Sequence, residues 1–289
     1  MNGILLVDKP EGFTSHDAVA KLRGILRERR IGHSGTLDPM ATGLLVIFIG
    51  RATRAVEFAE SHEKEYIAAI RSGIVTDTLD ITGNVMERSG KVFSREELLA
   101  VLPEFKGDLM QKPPMYSAVK VGGKKLYELA RKGVEVERAP RPVTIKALEL
   151  VGEKDGDYIL RIVCSKGTYI RTLASDIGRR LGTGAVLSEL RRTSAGVYSV
   201  RDAYTLDEIS GLAGSAGFEA IIRPVDSIFS EYPAFSLTEQ QLRRCLNGNS
   251  FEARLMDGRY RVYDENGNFL MLGNVENGIM STIKSFFEV

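Results

Sequence analysis

Asp38 is the residue whose setting most invites chemistry. It lies in GHSGTLDPMATG (residues 32–43), directly before Pro39 and between Gly35 and Gly43. Glycine admits backbone angles and close approaches that other residues forbid. His33, Ser34, Thr36 and Thr42 add polar groups to the same stretch. A carboxylate in such a place can attack as a nucleophile or take a proton. An isolated Asp-Pro pair more often marks a turn, its carboxylate capping a backbone N–H. What argues for more here is the dense neighbourhood, set between the basic run RERR and the apolar run LLVIFIG. A loop mounted on a rigid strand is a usual place for catalysis.

Three further segments carry groups of the same kind. DKPEGFTS places Lys9 and Pro10 just after an apolar run. KEYIAAIRSGIVTDTLDITG places Tyr66 in a strand-like stretch ahead of an acidic loop. CSKGTYIRTLASDIG places Tyr169 and Arg171 at a helix start, after Lys166 and Gly167. Taken singly, each is weak: Tyr66 reads as a half-buried strand aromatic, and Arg171 as a helix-start residue that could pair with any acid. Three histidines and two cysteines offer no cluster, so no metal is expected. Cys164 and Cys245 match no metal or redox spacing and read as reduced thiols of a cytoplasmic protein.

These residues need elements to position them. GILLVD reads as a short buried strand and KPEGFTS as a turn. Thr14 with Asp17 three residues on is a helix start, followed by the stripe Val19, Leu22, Ile25 and Leu26. GHSGTLDPMATG is expected to be a loop throughout, and LLVIFIG a strand inside a sheet. RATRAVEFAE reads as a short helix, and Ser94 with Glu97 caps another. Pro113 and Pro114 forbid regular helix in KPPMYSAVKVGGK, whereas LYELARKG is helical up to Gly133. VTIKALELVGEKDGDYILRIVCSKG is a hairpin about residues 154–157, and TYIRTLASDIGRRLG an amphipathic helix. Helices and strands mix without a βαβ rhythm, so the expected class is α+β with a mixed sheet. Past a boundary between Pro224 and Pro233 come a helix and short strands, with hairpin turns at Asp257-Gly258 and Asn266-Gly267.

Charge and length bound the rest. The chain has 289 residues, enough for one large and one small domain. Its formal net charge is only +1, but residues 106–192 hold 18 Lys and Arg against 10 Asp and Glu, while residues 202–289 hold 7 against 13. A basic middle suggests contact with a polyanion, though uneven charge also merely solvates surfaces. No apolar run approaches the roughly 18 residues that span a bilayer, and the N-terminus lacks the marks of a signal peptide.

Together the segments resemble the TruB family of bacterial tRNA pseudouridine-55 synthases. The resemblance runs from residue 3 to about residue 200. It rests on DKPEGFTSHD, GHSGTLDPMATGLL, YIAAIRSGIVTDTLDITG, KPPMYSAVKVGGKKLYELARKG, CSKGTYIRTLASDIG and VLSELRRTSAG, in that order. It implies an isomerase that cuts the C1′–N1 bond of a uridine, turns the uracil and rejoins it through C5, without cofactor or metal. By resemblance Asp38 is the essential aspartate and Arg171 its ionic partner, which should lower the carboxyl pKa. Tyr66 matches the tyrosine that stacks on the base, and is a candidate proton acceptor. His33 matches a histidine that contacts the RNA loop and helps hold the target uridine out of its stack, and Tyr169 and Leu190 match positions of the uracil pocket. Lys9 and Pro10 match a motif that supports the aspartate loop.

The resemblance also implies a catalytic domain over residues 1–228, with an RNA-binding insertion at about 106–142. A small β-rich, PUA-like RNA-binding domain is expected over 229–289, although its acidic charge argues against a strong phosphate grip. The implied partner is the T-arm stem-loop of tRNA, with the target base flipped out. A cytoplasmic monomer without an obligatory protein partner is expected. Two rivals remain open: a relative guided by an RNA–protein complex, which shares HSGTLDP, and a non-catalytic RNA chaperone.

Overall fold

The computed structural model describes residues 1–60 and 63–287. The chain opens with β1 (Gly3–Lys9), α1 (Ser15–Leu26), β2 (Ile31–Ser34) and β3 (Thr42–Ile49). α1 begins at the expected capping box: the Thr14 hydroxyl accepts from Asp17 N, and the Asp17 carboxylate accepts from Thr14 N. A 3₁₀ turn and α2 (Val56–Glu60) lead to β4 (Lys64–Ser72), then to the hairpin of β5 (Ile74–Thr76) and β6 (Val85–Arg88). α3 (Arg95–Val101), capped by Ser94, precedes β7 (Gly107–Gln111). β8 (Lys120–Val121), β9 (Lys124–Lys125) and α4 (Leu126–Ala130) follow. Next come β10 (Arg141–Lys154), β11 (Asp157–Cys164), α5 (Ile170–Arg180), β12 (Ala185–Ala195) and β13 (Tyr198–Ser199).

Nine of these strands make one sheet, in the order β1-β3-β12-β4-β11-β10-β7, with β2 on β3 and β13 on β12. The β3–β12 pair is parallel and its neighbours antiparallel, so the sheet is mixed, as the sequence indicated. The β10–β11 hairpin turns at Asp155 and Gly156, both at positive φ. α5 lies over the sheet, burying Ile170, Leu173 and Ile177 with Tyr66, Ile162 and Leu187.

The glycine-rich stretch is not loop throughout. Residues 31–34 are β2, paired with the second half of β3, and the loop proper shrinks to residues 35–41. β12 had no assignment from sequence. Two bulges, between Leu187 and Glu189 and between Arg192 and Ser194, break its period of two. Its close approach to β3 depends on Gly43: φ is +96, and a Cβ there would collide with the Arg192 carbonyl.

α6 (Leu206–Leu212) and α7 (Ala216–Ala220) lead to a second sheet. It holds β14 (Ala234–Ser236), β15 (Phe251–Glu252), β16 (Gly258–Tyr263), β17 (Phe269–Glu276) and β18 (Ile279–Ser285), with α8 (Glu239–Leu246) after β14. The order is β14-β16-β17-β18-β15. Asn266-Gly267 turns between β16 and β17 as expected. Asp257-Gly258 is not a hairpin turn, because β15 pairs with β18 and not with β16. The other tight hairpin is at Asn277-Gly278, both at positive φ, which suits a type I′ turn.

The second sheet is packed on the first body. The rings of Phe269 and Phe286 lie 6.0 and 5.9 Å from Phe229, and with Leu272 they join a core containing Ile4, Leu6 and Phe48. No helix among the described residues is long and apolar enough to cross a membrane.

Candidate active site

The aspartate loop is held from below. Asp38 O accepts from Ala41 N at 3.1 Å, closing a turn with Pro39 at its second position, where proline's fixed φ fits. The Ser15 hydroxyl, buried at the start of α1, takes the Leu37 N–H at 2.8 Å. Lys9 ends β1 with its side chain fully buried, and its ammonium donates to Pro10 O at 2.7 Å and Phe13 O at 2.6 Å. It reaches Pro39 O at 3.4 Å, and Gly12 N donates to the same carbonyl at 2.8 Å. Burial draws the Lys9 pKa down to about 8. Lys9→Met should therefore destabilise the protein by about 2 kcal/mol, since three backbone carbonyls lose their charged donor. Chemical denaturation measures this; an unchanged midpoint would show that the ammonium is no clamp.

Arg171, in the first turn of α5, is 4% exposed and gathers three segments. Its Nε lies 2.8 Å from Asp38 Oδ2, and Nη2 donates to Asp38 Oδ1 at 3.1 Å. This two-pronged fit of planar fork to carboxylate fixes the orientation of both groups. Nη1 donates to Thr78 O at 2.9 Å and Nη2 to Tyr116 O at 2.8 Å. A second carboxylate, Asp80, lies 3.7 Å from Nη1. Asp80 is buried, with Oδ1 held by the hydroxyls of Thr78 and Thr82 and by Thr82 N.

The expectation that this pair lowers the Asp38 pKa is not met. Burial raises the carboxyl above its ordinary value, Arg171 opposes that rise and Asp80 adds to it. Desolvation by the surrounding protein outweighs the attraction even though about a third of the side chain stays exposed, because the partner cation is shared with Asp80.

Asp38 and Arg171 face a cavity of about 590 Å³, within the range of roughly 300–1,000 Å³ typical of small-ligand sites. Tyr66 on β4 and Leu190 on β12 give it two buried apolar faces. Burial pushes the Tyr66 hydroxyl pKa up, so the phenol is protonated at neutral pH. Tyr169 lines the same cavity just before α5. Its backbone is gripped by the Gln111 amide, which accepts from Tyr169 N at 2.8 Å and donates to Tyr169 O at 3.0 Å.

The structure thus brings Asp38, Tyr66, Tyr169, Arg171 and Leu190 around one cavity. Lys9 and Pro10 lie in the layer beneath the loop. His33 lies on β2, outside the cavity wall, edge-on to His16 with ring centroids 5.4 Å apart. Burial draws its pKa down to about 4, so it is neutral at pH 7. Sequence reasoning missed Asp80, Gln111 and Arg192. TDTLDITG was recognised as acidic, but nothing in it distinguishes the buried Asp80 from Asp77. No group of three or more His, Cys, Asp or Glu among the described residues could hold a metal. Cys164 and Cys245 are both free and buried.

Comparison with known proteins accords with this fold. The family model described as TruB family pseudouridylate synthase, N-terminal domain, matches residues 23–170. That described as tRNA pseudouridylate synthase B C-terminal domain matches residues 171–230. A protein of Stutzerimonas stutzeri named tRNA pseudouridine synthase B is 43% identical, over 95% of this chain and 92% of its own length. One of Clostridium kluyveri with the same name is 38% identical, over 99% of this chain and 100% of its own. Among solved structures, a Cbf5-Nop10-Gar1 complex matches with a TM-score of 0.75 at 25% identity, covering 99% of this chain and 85% of that one. An H/ACA ribonucleoprotein bound to a substrate RNA containing 2'-deoxyuridine matches with a TM-score of 0.74 at 22% identity, over 99% and 85% of the two chains. The fold is that of a pseudouridine synthase. The chain belongs to the TruB family of pseudouridylate synthases.

Proposed function

We propose that this chain converts uridine to pseudouridine at position 55, in the T-arm loop of tRNA. The observation that carries the reading is the Asp38–Arg171 fork, facing a cavity with the apolar faces of Tyr66 and Leu190. The name shared by relatives 38–43% identical along nearly the whole chain points to tRNA as the substrate.

The reaction is an isomerisation, so no atom is gained or lost overall. The C1′–N1 bond breaks and its electron pair leaves with the base. The uracil turns, C5 bonds to C1′, the C5 proton departs and N1 ends protonated. Asp38 serves this either by adding to C1′, through a bond that breaks as C5 takes its place, or by taking a proton from the sugar that it returns as C5 bonds; both routes need it ionised. Arg171 holds it ionised and aimed. Tyr66 stacks on the base, and Leu190 and Tyr169 confine it while it turns.

A uridine inside the T-loop must be extruded to reach this cavity, at a cost of a few kcal/mol. Stacking on Tyr66 offsets part of that, at roughly 1–3 kcal/mol per base. Exposed Lys120, Lys124, Arg131 and Lys132 in the 106–142 insertion supply phosphate contacts. The chain works as a cytoplasmic monomer, without a protein partner. Its purified form should therefore convert a bare T-arm stem-loop; no turnover until partner proteins are added would contradict this.

The active form carries Asp38 ionised, and burial raises its pKa. Activity is therefore full above that raised value and lost as pH falls through it. The acid limb of kcat/KM should inflect above the ordinary aspartate value of 3.8 and move to lower pH in Asp80→Asn, because Asp80 adds to the rise. An inflection at or below 3.8 would contradict the assignment.

A further inference from the structure

Among the described residues, Arg192 is a buried cation without an ion-pair partner. Its side chain is 1% exposed. Nε donates to Leu44 O at 2.6 Å, while Nη2 is buried with no hydrogen-bond partner among the described residues. Among the described residues it makes no ion pair, whereas its neighbour Arg191 meets Asp8 at 2.6 Å. Taking an unpaired charge out of water costs several kcal/mol, so such a group calls for an explanation.

Its position suggests one. On β12 it stands opposite Tyr66 of β4 on one side and Gly43 of β3 on the other. Its Nη1 passes under the aspartate loop, 3.1 Å from where a Cβ on Gly35 would stand. Gly35, at φ +66, leaves room for this approach. Arg192 lines the same cavity as Asp38, Tyr66 and Leu190. Its charge is felt there: it adds to the burial that draws the Lys64 pKa down to about 8, and it opposes the burial-driven rise at Tyr66.

In the proposed reaction the uracil leaves with the electron pair of the C1′–N1 bond. It is negative until C5 bonds to C1′, whichever way Asp38 acts. We infer that Arg192 is the fixed counter-charge for this detached, anionic uracil, so that the protein's missing anion is the reaction intermediate itself. The inference rests on the proposed function and deepens it. Arg192 takes and gives no proton; it acts as a fixed charge in the cavity wall beside Tyr66. A charge fixed in advance in the cavity wall stabilises developing negative charge without reorganisation.

The test uses the full chain, a T-arm stem-loop labelled with tritium at uridine C5, single-turnover tritium release and filter binding. Arg192→Gln should slow the rate by about 10²–10³-fold while Kd changes less than about threefold. Arg192→Lys, which keeps the charge, should recover at least about tenfold of that loss. A glutamine variant within threefold of the wild-type rate, or a rate loss matched by the loss in Kd, would overturn the inference. Should the glutamine variant fail to fold, the lysine variant decides: a loss under about a hundredfold supports the inference and a larger one overturns it. No product from the wild type would remove the proposed function as well; product from the wild type and an unimpaired Arg192→Gln would remove this inference alone.

Discussion

Asp38→Asn should abolish pseudouridine formation, by about 10⁴-fold or more, and leave T-arm binding within about threefold. The amide neither attacks C1′ nor takes a proton, and the loss corresponds to about 5 kcal/mol of barrier. Binding survives because it depends on phosphate contacts along the basic insertion, to which one carboxylate contributes little. The amide is isosteric, and its oxygen can still accept from Arg171. The loop keeps the turn at Asp38–Ala41 and the Ser15 and Lys9 contacts beneath it. Folding should therefore be unchanged. Single-turnover product analysis and filter binding check both halves; full activity, or loss of binding, would sink the assignment.

Arg171→Ala should be the second-largest loss, about 10²–10³-fold or more in rate, and here stability should fall as well. One guanidinium serves Asp38, Thr78 O, Tyr116 O and Asp80. Removing it leaves the buried Asp80 without an ion-pair partner among the described residues and two carbonyls without their donor. Breaking a buried pair from one side costs roughly 3–5 kcal/mol. Asp38 still has about a third of its side chain exposed, so the lower end of that range is expected. Arg171→Lys keeps the charge but not the fork, and should fall between wild type and alanine. A calorimetric Tm equal to wild type would show that Arg171 does not tie these segments together. A rate within tenfold of wild type would remove it from the mechanism.

Much of this was legible in the sequence because the chemistry lies in short segments. The loop with Asp38, the strand with Tyr66 and the helix start with Arg171 are each local, and each kept its place in the fold. Relations between segments were harder to see. β12 supplies Leu190 and Arg192, yet its two bulges hide the alternation that marks a strand. Asp80 looks like any loop aspartate until Arg171 is placed beside it. The Asp38 pKa was read with the wrong sign because the partner charge is visible in a motif and the depth of burial is not. β15 crosses to β18 instead of pairing with β16, and a turn signal at Asp257-Gly258 cannot report that. His33 lies near Asp38 along the chain but points toward His16, since β2 carries it out of the cavity wall.

The most direct measurement is a crystal structure of this chain with a T-arm stem-loop carrying 5-fluorouridine at the target position. The account predicts an extruded base stacked on Tyr66 against Leu190, with the sugar C1′ or the fluorinated base nearer to Asp38 than to any other carboxylate. A target base still stacked in the loop, or a reacting nucleotide outside the Asp38–Arg171 cavity, would contradict it.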